Sequence, residues 1–354
     1  MDALFRARLF DTDGYPVSAV PFGNGHINST VLITTDTNHR YVLQKINGNV
    51  FKDPEGLMNN IAAVTDHLRR KDPDPRHVLT LVPAKDGMLW HTDENGDVIR
   101  LTEYITDSIC MDMPETPDDF ELIGSAFGRF QLLLADFPAN QLAETIPHFH
   151  DTPDRYRQLE EAIEKNAAGR LDEVSEEVAF FRARKKDTSF VTDLLAAGKL
   201  PLRVTHNDTK TNNIMLDKDT KQPLCVLDLD TVMPGLAGND FGEAVRTGAS
   251  TGAEDEQDLD KVSLSLEMYE AFARGFLSVC GSSLTETEKE TLAMCARLMT
   301  MENGMRFLAD YLNGDVYFAI HRPGHNLDRC RSQMKLLTDM ESKYAAMTEI
   351  IRHL

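Results

Sequence analysis

Cysteine is scarce in this sequence, and its placement excludes two common uses. Five cysteines occur among 354 residues, at Cys110, Cys225, Cys280, Cys295 and Cys330, and no two of them form a C-x-x-C pair. Their odd number and wide spacing favour neither a zinc site nor a disulfide framework. Because most of them lie in apolar segments, we expect reduced thiols in a protein core.

Long hydrophobic runs and basic residues are also few. No apolar run approaches the length of a transmembrane helix, and the first ten residues, MDALFRARLF, lack the layout of a signal peptide, so we expect a cytoplasmic protein. Lysine and arginine number 37 against 57 acidic residues, which gives a net charge of −20. Such a surface repels nucleic acid and anionic membranes, and we expect neither as a partner. Any phosphate site must therefore be locally basic or metal-assisted.

The phosphate-binding pattern G-x-x-x-x-G-K-[ST] is absent as well, which argues against a P-loop enzyme. A weaker glycine-containing loop, GNGHIN at 23–28, lies between two predicted strands. Its Gly23, Asn24 and Gly25 are candidate ATP contacts, because glycine lets backbone N–H groups approach a phosphate closely. Only two glycines of a G-x-G-x-x-G pattern are present, and a plain hairpin is the alternative.

Against these absences stands one stretch, Val204 to Thr231, around which the chain is organised. It contains His206-x-Asp208 and, after four further residues, Asn213. This is the H-x-D-x-x-x-x-N spacing of a kinase catalytic loop. In that chemistry the carboxylate accepts a proton from the attacking hydroxyl, and the amide oxygen helps to hold a divalent metal on the nucleotide phosphates. The pattern predicts Asp208 as the base and Asn213 as a metal ligand.

A predicted β-hairpin after this loop supplies a second metal ligand. Two short apolar runs, 213–216 and 224–227, flank a turn-rich segment whose midpoint falls just after Thr220. An antiparallel register about that point brings Asp228 beside Asn213, so that one metal ion can contact both. The alternative is that these side chains only hydrogen-bond their own turns. The agreement of motif, hairpin and returning carboxylate favours the kinase-like site.

A second aspartate motif, Asp240-Phe241-Gly242, spells the D-F-G of protein kinases. It lies past a Pro-Gly turn and cannot pair with Asn213 in this hairpin. We therefore predict that Asp240 is structural and braces the catalytic loop from behind.

A pair of histidines, His148 and His150, is followed by Asp151 and has the composition of a metal cluster. Residues two apart do not share a helix face, and the Thr-Pro pair that follows indicates a loop. We favour a substrate-pocket or capping role over metal binding.

The first hundred residues are predicted to hold a helix from about 53 to 70 and strands at 17–22, 30–34, 40–46, 77–82, 87–91 and 98–105. The third strand carries Gln44 and Lys45, which face opposite sides. Lys45 is the candidate phosphate contact, with an exposed, solvated lysine as the alternative. The last strand ends at Glu103-Tyr104-Ile105, where the hinge of a bilobal kinase contacts adenine; an ordinary strand end is the alternative.

The second half of the chain is predicted to be helical. Thr285-x-x-Glu288 is a capping-box signal that opens a long helix. Arg306 lies in that helix, and Asp315 and Tyr317 follow its end. The three side chains could line a polar pocket for a sugar or another polyhydroxyl compound, or could equally form a structural salt bridge.

With these residues in view, the sequence resembles the aminoglycoside phosphotransferase and choline kinase superfamily, and within it the N-acetylhexosamine 1-kinases of bacterial sugar salvage. The likeness covers nearly the whole chain. It is carried by GNGHINST at 23–30, YVLQKIN at 41–47, GSAFGRFQ at 124–131, ETIPHFHDTP at 144–153, PLRVTHNDTKTNNIM at 201–215, LDLDTVMPG at 227–235, FGEAVRTGAS at 241–250 and MRFLADYLNGDVYF at 305–318.

The resemblance implies an α+β, bilobal, protein-kinase-like fold. A small, β-rich N-terminal lobe at 1–105 would bind the nucleotide, and a large, mainly helical C-terminal lobe at 106–354 would carry catalysis and the sugar site. The implied reaction is ATP-dependent, Mg²⁺-assisted phosphorylation of the anomeric (C1) hydroxyl of N-acetylglucosamine or N-acetylgalactosamine. We expect the enzyme to be a monomer.

The resemblance also implies roles for particular residues. They are the base Asp208, the magnesium ligands Asn213 and Asp228, and the sugar-site residues Thr231, Arg306, Asp315 and Tyr317. One departure from the family pattern is Thr247, which follows Arg246 where we expect an aromatic residue that lines the sugar pocket. A smaller residue there would widen acceptance or shift the preferred sugar.

Three other functions compete with this interpretation. The first is a kinase of the same fold that acts on an amino alcohol or a different sugar. The second is a nucleotide-binding regulatory module without catalysis, against which the intact Asp208, Asn213 and Asp228 argue. The third is a metal-dependent hydrolase, which would need histidine and carboxylate clusters at ligand spacing, and none is convincing.

Overall fold

The computed structural model describes residues 2–23 and 28–354. Its contacts divide the chain into two compact units. The first runs through Cys110 and adds residues 136–147 and 215–234, and the second contains residues 111–135, 148–214 and 235–354. Within the described ranges, no helix combines the length and the apolar character that crossing a membrane requires.

Strands and helices are distributed unequally along the chain. The strands are β1 (Pro16–Pro21), β2 (Ser29–Thr35), β3 (Arg40–Lys45), β4 (His91–Thr92), β5 (Val98–Glu103), β6 (Ser108–Cys110), β7 (Arg203–Thr205), β8 (Ile214–Asp217), β9 (Pro223–Val226) and β10 (Met233–Gly235). The α-helices are α1 (Ala3–Ala7), α2 (Pro54–Lys71), α3 (Pro117–Leu133), α4 (Thr152–Lys165), α5 (Ser175–Ala183), α6 (Phe190–Ala196), α7 (Ala237–Gly248), α8 (Leu266–Cys280), α9 (Glu286–Asn313), α10 (His325–Ser342) and α11 (Tyr344–His353). Strands dominate the first unit and helices the second, so the predicted α+β class is confirmed.

An antiparallel sheet with the order β1-β2-β3-β5-β4 forms the centre of the first unit. In β3, Tyr41 and Leu43 are buried in a core that includes Ala7 of α1. Because successive strand residues point to opposite faces, Lys45 lies on this α1 face and Gln44 on the other face. The alternation of the sequence RYVLQK thus decides which side chains of β3 share a surface.

Two predicted strands of the first unit do not form as expected. The first three strands and α2 appear where the sequence predicts them, but segment 77–82 makes only an isolated bridge, from Leu81 to Thr102, and the strand predicted at 87–91 is limited to β4 at His91–Thr92. The guanidinium of Arg69 on α2 donates to the Leu79 carbonyl at 3.2 Å. A side chain from the helix thus takes a backbone acceptor that a regular ladder would use.

Helices α3 and α8 of the second unit approach closely because glycines line their contact. Gly124 of α3 lies against the backbone of Phe272, and Gly275 of α8 lies against the backbone of Glu121. A Cβ atom at Gly275 would come within 2.0 Å of the Glu121 carbonyl oxygen. The close approach also fixes the position of Gln131, which lies further along α3.

Helix α9 begins with the predicted capping box. The Thr285 hydroxyl accepts the N–H of Glu288 at 3.2 Å, and the Glu288 carboxylate accepts the N–H of Thr285 at 2.7 Å. The helix stops at Gly314, whose φ of 96° favours glycine. Most of its residues are buried, including Glu302, so α9 supports much of the second unit.

Gly275→Ala is expected to lower the free energy of unfolding by about 1–3 kcal/mol, because the new methyl group overlaps a backbone carbonyl that moves only if α3 moves. The measurement is equilibrium urea unfolding followed by circular dichroism. Gly281→Ala is the matched control, since the nearest atom to a Cβ there is a Leu277 carbon at 3.6 Å. Equal stability of the two variants would contradict the packing argument.

Candidate active site

The predicted catalytic loop follows β7 and is held from behind by the carboxylate of Asp240 on α7. Asp240 Oδ2 accepts the N–H of His206 at 3.0 Å and the side-chain amide of Gln131 at 2.6 Å. Asp240 Oδ1 accepts the N–H of Asn207 at 2.7 Å, and its carbonyl accepts the Thr209 hydroxyl at 2.6 Å. The prediction that Asp240 braces this loop is confirmed.

Asn207, the residue before the predicted base, has a left-handed backbone conformation with φ of 65°. Its side-chain oxygen accepts the Thr205 hydroxyl at 2.9 Å, and its amide donates to the Thr205 carbonyl at 3.2 Å. Asparagine tolerates this conformation better than most residues do. The bend separates the fully buried His206 from Asp208, whose side chain is 23% exposed.

A lysine faces the predicted base. Lys210 Nζ lies 2.9 Å from Asp208 Oδ1, and the Lys210 side chain is 47% exposed. Burial alone would raise the pKa of Asp208, but the charge and hydrogen bond of Lys210, together with the charges of His206 and Arg246, hold that pKa below its usual range. The charge of Asp208 in turn raises the pKa of Lys210. This role of Lys210 was not predicted from the sequence. The available signal was a lysine that lies inside the H-x-D-x-x-x-x-N motif, two residues after Asp208.

Asn213 is the last residue of the loop, and its side-chain amide nitrogen is already hydrogen-bonded. Its Nδ2 donates to the Asp208 carbonyl at 2.8 Å, and its N–H donates to the Lys210 carbonyl at 3.0 Å. The oxygen Oδ1 is therefore the side-chain atom that would bind a metal. A neutral amide oxygen of this kind suits a hard divalent cation.

The predicted hairpin forms from β8 and β9, which are neighbours in the sheet order β6-β8-β9. Across its turn the N–H of Asp217 donates to the Gln222 carbonyl at 2.8 Å. Asp228 follows β9, is exposed and has a left-handed backbone with φ of 52°. Thr231 closes the short 3₁₀ turn that comes next and is buried. The hairpin prediction is confirmed, and Asp228 is an exposed residue at its end.

A buried ion pair in the first unit was not predicted. Arg100 on β5 and Asp230 form a charge pair in which each side chain is 2% exposed. Arg100 also donates to Gln44 Oε1 from Nε at 3.0 Å and from Nη2 at 2.8 Å, and the Asn28 amide donates to Asp230. Since Asp230 lies two residues after Asp228, this pair fixes the turn that carries the Asp228 carboxylate. The signal in the sequence was a charged residue inside an otherwise apolar strand.

Lys45, the predicted phosphate contact, points away from Arg100 and Gln44. Its Nζ lies 2.7 Å from Asp97 Oδ2, which Arg6 of α1 also binds at 2.8 Å. Contact with a phosphate would require the ammonium group to leave Asp97, and this role stays a prediction.

The predicted glycine loop is described only at its first residue and its last. Gly23 has a φ of 74°, and no heavy atom lies within 4 Å of a Cβ built on it. Asn24 and Gly25 lie outside the described residues.

The predicted hinge closes β5, and several of its backbone groups have protein partners. The N–H of Tyr104 donates to the Arg40 carbonyl at 3.2 Å, and the Arg40 guanidinium lies 4.1 Å above the Tyr104 ring. The N–H of Glu103 also donates to a carbonyl of the first unit. The Ile105 carbonyl accepts the Ser108 hydroxyl at 2.6 Å. The adenine contact of this segment stays a prediction.

Arg306 and Tyr317 meet in one cluster of the second unit. The Arg306 guanidinium carbon lies 5.8 Å from the ring centre of Tyr317, 5.3 Å from that of Phe318 and 5.5 Å from that of Phe149. One Arg306 nitrogen donates to Asn303 Oδ1 at 3.2 Å. Tyr317 is 55% exposed, so its ring is presented at the surface. Two of the predicted sugar-site residues are thus brought together.

Asp315 has other partners. It binds Arg170 Nη1 at 2.6 Å and accepts the Asn326 amide at 2.9 Å, and its side chain is almost fully buried. These contacts form the structural salt bridge that was the alternative at this position. A sugar contact from Asp315 stays a prediction.

A buried carboxylate shapes the loop that carries Tyr317. Asp310 accepts the N–H groups of Val316, Tyr317 and Phe318, each at 2.9 Å, and the Asn326 amide at 2.9 Å. Three consecutive N–H groups on one carboxylate fix the path of the loop. Asp310 lies within the MRFLADYLNGDVYF segment, but its role could not be read from periodicity.

The histidine pair divides between two environments. Asp151 accepts the N–H of Asp154 at 3.1 Å and caps α4, so the predicted capping role is confirmed for this residue. His148 is exposed beside Asp151, whereas His150 is buried against Glu302 of α9.

A profile of the phosphotransferase enzyme family (APH) matches residues 18–274. The chain belongs to this family. The phosphotransferase shares its fold with an aminoglycoside phosphotransferase from Alicyclobacillus acidocaldarius, with a TM-score of 0.66 and 11% identity over 100% of this chain and 97% of that one. A microcompartment-associated aminopropanol kinase has a similar fold, with a TM-score of 0.63 and 17% sequence identity over 98% of each chain. An amicoumacin kinase solved with AMP-PNP and Ca²⁺ has a TM-score of 0.59 and 13% sequence identity, over 96% of this chain and 92% of that one. The predicted kinase-like fold is confirmed.

Lys210→Met in this phosphotransferase is expected to raise the pKa of Asp208, because the ammonium charge is lost while burial remains. Carbon-13 NMR of labelled aspartate carboxyls measures that pKa, and the spectrum of Asp208→Asn assigns the signal. Lys199→Met, at an exposed position of the same unit, is the control. An unchanged Asp208 pKa in the Lys210 variant would contradict the assignment.

Arg100→Met is expected to lower the free energy of unfolding by about 3–5 kcal/mol, because it leaves the Asp230 carboxylate buried without its partner. The double variant Arg100→Met/Asp230→Leu should recover much of this loss in urea unfolding. Arg70→Met is the control, since its pair with Asp66 is 65% exposed on both sides and should cost less than about 1 kcal/mol. A loss at Arg100 no larger than in the control would refute the argument.

Proposed function

We propose that this phosphotransferase transfers the γ-phosphoryl group of ATP to the anomeric hydroxyl of an N-acetylhexosamine, either N-acetylglucosamine or N-acetylgalactosamine. The observation that carries the proposal is the braced loop: a partly exposed Asp208 carboxylate with Lys210 beside it and Asn213 tied to the Asp208 carbonyl. The choice of acceptor is supported by the sequence blocks shared with N-acetylhexosamine 1-kinases and by the pairing of Arg306 with Tyr317.

The cluster around Arg306 favours a neutral acceptor. A guanidinium donates to sugar oxygens, and an exposed ring such as Tyr317 packs on the apolar face of a sugar. Arg155 adds a second cation nearby; burial, and then the charge of Arg306, lower the pKa of Arg155. Two neighbouring guanidinium groups repel a protonated amine, so they argue against an amino alcohol as the acceptor.

Asn213 and Asp228 are the residues that would hold Mg²⁺. Both offer hard oxygen ligands, which this ion prefers. The side-chain nitrogen of Asn213 already donates a hydrogen bond, and Asp228 is an exposed residue. The hairpin supports the pairing, because β8 begins directly after Asn213 and β9 ends two residues before Asp228. When bound, the ion neutralises charge on the nucleotide phosphates.

Asp208 acts as the base in a direct transfer. It accepts the proton of the anomeric hydroxyl while that oxygen forms a bond to the γ-phosphorus, and the bond between this phosphorus and the bridging oxygen breaks to release ADP. Lys210 keeps the carboxylate ionised before the reaction. An anomeric hydroxyl is more acidic than an ordinary alcohol, so a base of low pKa suffices.

We assign ATP binding to the first unit. Its proposed contacts are Gly23, Asn24, Gly25, Lys45 and the backbone of Glu103, Tyr104 and Ile105. Thr231, Arg306, Asp315 and Tyr317 complete the proposed substrate set. A monomer in the cytoplasm, where ATP is available, fits this activity.

Asp208→Asn is expected to bind ATP and the sugar as the wild type does, while turnover falls by about 10²–10⁴-fold, because the proton acceptor is lost. Phosphorus NMR with ATP, Mg²⁺ and each sugar in turn detects the sugar 1-phosphate through its coupling to the anomeric proton. Asp172→Asn, at an exposed position of the same unit, is the control.

Three outcomes would contradict the proposal in different ways. Near-wild-type turnover of Asp208→Asn would refute the base assignment. Intact ATP with both sugars would refute the acceptor and leave the phosphotransferase family standing. Binding of ATP without transfer to any acceptor in a wider panel of sugars and amino alcohols would favour the non-catalytic alternative.

A further inference from the structure

His150 is buried where both of its ring nitrogens face acceptors. Nδ1 lies 2.9 Å from Oε1 of Glu302, and Nε2 lies 2.9 Å from the carbonyl oxygen of Asn207. A carbonyl cannot donate, so Nε2 carries a hydrogen, and an ionised carboxylate requires one on Nδ1 as well. The side chains of His150 and Glu302 are 5% and 0% exposed, so the geometry is that of a buried imidazolium–carboxylate pair.

Charged groups on three helices surround this pair. Burial alone would lower the pKa of His150, but Glu302 on α9, with Glu243 on α7, raises it above its usual value. Burial alone would raise the pKa of Glu302, but His150, Arg155 on α4 and Arg306 on α9 hold it below its usual range. Both shifts favour the charged forms of the two side chains.

The carbonyl that His150 binds belongs to the peptide bond immediately before Asp208. At the other end of the same peptide, the N–H of Asp208 donates to Nδ1 of His206 at 3.2 Å. Two imidazole rings thus hold opposite ends of one peptide plane. The plane contains the N and Cα atoms of Asp208, so holding it fixes the bond from whose end the Asp208 side chain projects.

We propose that the His150–Glu302 pair is a positioning device that fixes the Asn207–Asp208 peptide and thereby aims the Asp208 carboxylate at the acceptor hydroxyl. The role rests on the function proposed above for Asp208. Thr152 donates to Glu302 Oε2 at 3.1 Å and keeps the carboxylate turned toward His150.

The same device connects the base to the proposed sugar contact. Glu302 and Arg306 are four residues apart on α9, so they lie on neighbouring turns of one helix face. A shift of α9 at Arg306 would carry Glu302 with it, and through His150 would act on the peptide before Asp208. The pair thus couples the position of Asp208 to that of Arg306, the proposed sugar contact.

The pair is complete only while His150 is charged. Its pKa in the folded protein lies above the ordinary value of 6.5, so the positioning is fully present below that value and is lost as pH rises through the higher, folded pKa. The turnover number kcat should therefore fall on the alkaline side as His150 loses its proton. In Glu302→Gln, which keeps the burial and removes the carboxylate, this fall should occur at lower pH.

Long-range proton–nitrogen correlation spectra of the histidine rings test the charge state without any acceptor. The expected result is one ring with both nitrogens protonated at neutral pH, absent from His150→Gln and titrating at lower pH in Glu302→Gln. His148→Gln, in the same segment but 64% exposed at its side chain, is the control. A neutral His150 ring at neutral pH would overturn the proposal, whichever sugar the enzyme accepts.

Steady-state kinetics test the positioning role. His150→Gln and Glu302→Gln are expected to reduce kcat by about 10–100-fold with little change in KM for ATP, since the loss is in the alignment of the base. A merely structural role would lower Tm and leave the pH profile of kcat in place. A wild-type pH profile in Glu302→Gln would overturn the proposal.

Two further experiments separate failure of the positioning role from failure to fold and from a wrong choice of acceptor. Thr152→Val, which removes only the second hydrogen bond to the Glu302 carboxylate, supplies the kinetic test if either charged-pair variant does not fold. If the wild type phosphorylates neither N-acetylhexosamine, the proposed function fails, and the kinetic arm is run with whichever acceptor the panel identifies. The histidine spectra decide the charge state in either case.

Discussion

The predicted catalytic loop depends on one buried carboxylate. Asp240 accepts the N–H groups of His206 and Asn207, and both residues are buried. A buried N–H without a partner costs about 1–3 kcal/mol, so losing Asp240 would release two such groups at once. Gln131 reaches the same carboxylate because glycines let α3 lie close to α8. The packing of α3 and the shape of the loop therefore depend on the same Asp240 carboxylate.

The acidity of the chain is balanced locally by cations at two places near the proposed chemistry. The net charge is −20, yet Lys210 pairs with Asp208 in the second unit, and Arg100 pairs with Asp230 in the first. Pairing of this kind sets the local field by geometry, because interactions at 3 Å dominate those spread over the surface. Composition limited the classes of partner but could not locate these pairs.

What the sequence could predict was local in the chain. The loop motif, the hairpin after it and the capping box of α9 each occupy one short segment whose residues interact with one another. Arg100 and Asp230 are separated by 130 residues, and His150 and Glu302 by 152, so no periodicity or spacing connects them. Those contacts exist only once the chain has folded.

Strand alternation predicted which side chains share a face of the sheet, but not which face packs against the rest of the protein. It predicted that Gln44 and Lys45 face opposite sides of the sheet, but only the packing of α1 decides that Lys45 shares its side with Tyr41. The strand expected at 77–82 failed for a similar reason, because Arg69 from a helix competes for its backbone. Local pattern gives the alternatives, and tertiary contacts choose among them.

A loop that is held by its backbone leaves its side chains free to change. Asp310 binds the N–H groups of Val316, Tyr317 and Phe318 whatever side chains those residues carry. Substitutions at the two exposed positions, Val316 and Tyr317, therefore alter the protein surface there while the path of the chain is kept. Over evolution, the side chains at these two positions can change at little cost in stability, whereas Asp310 itself has no such freedom.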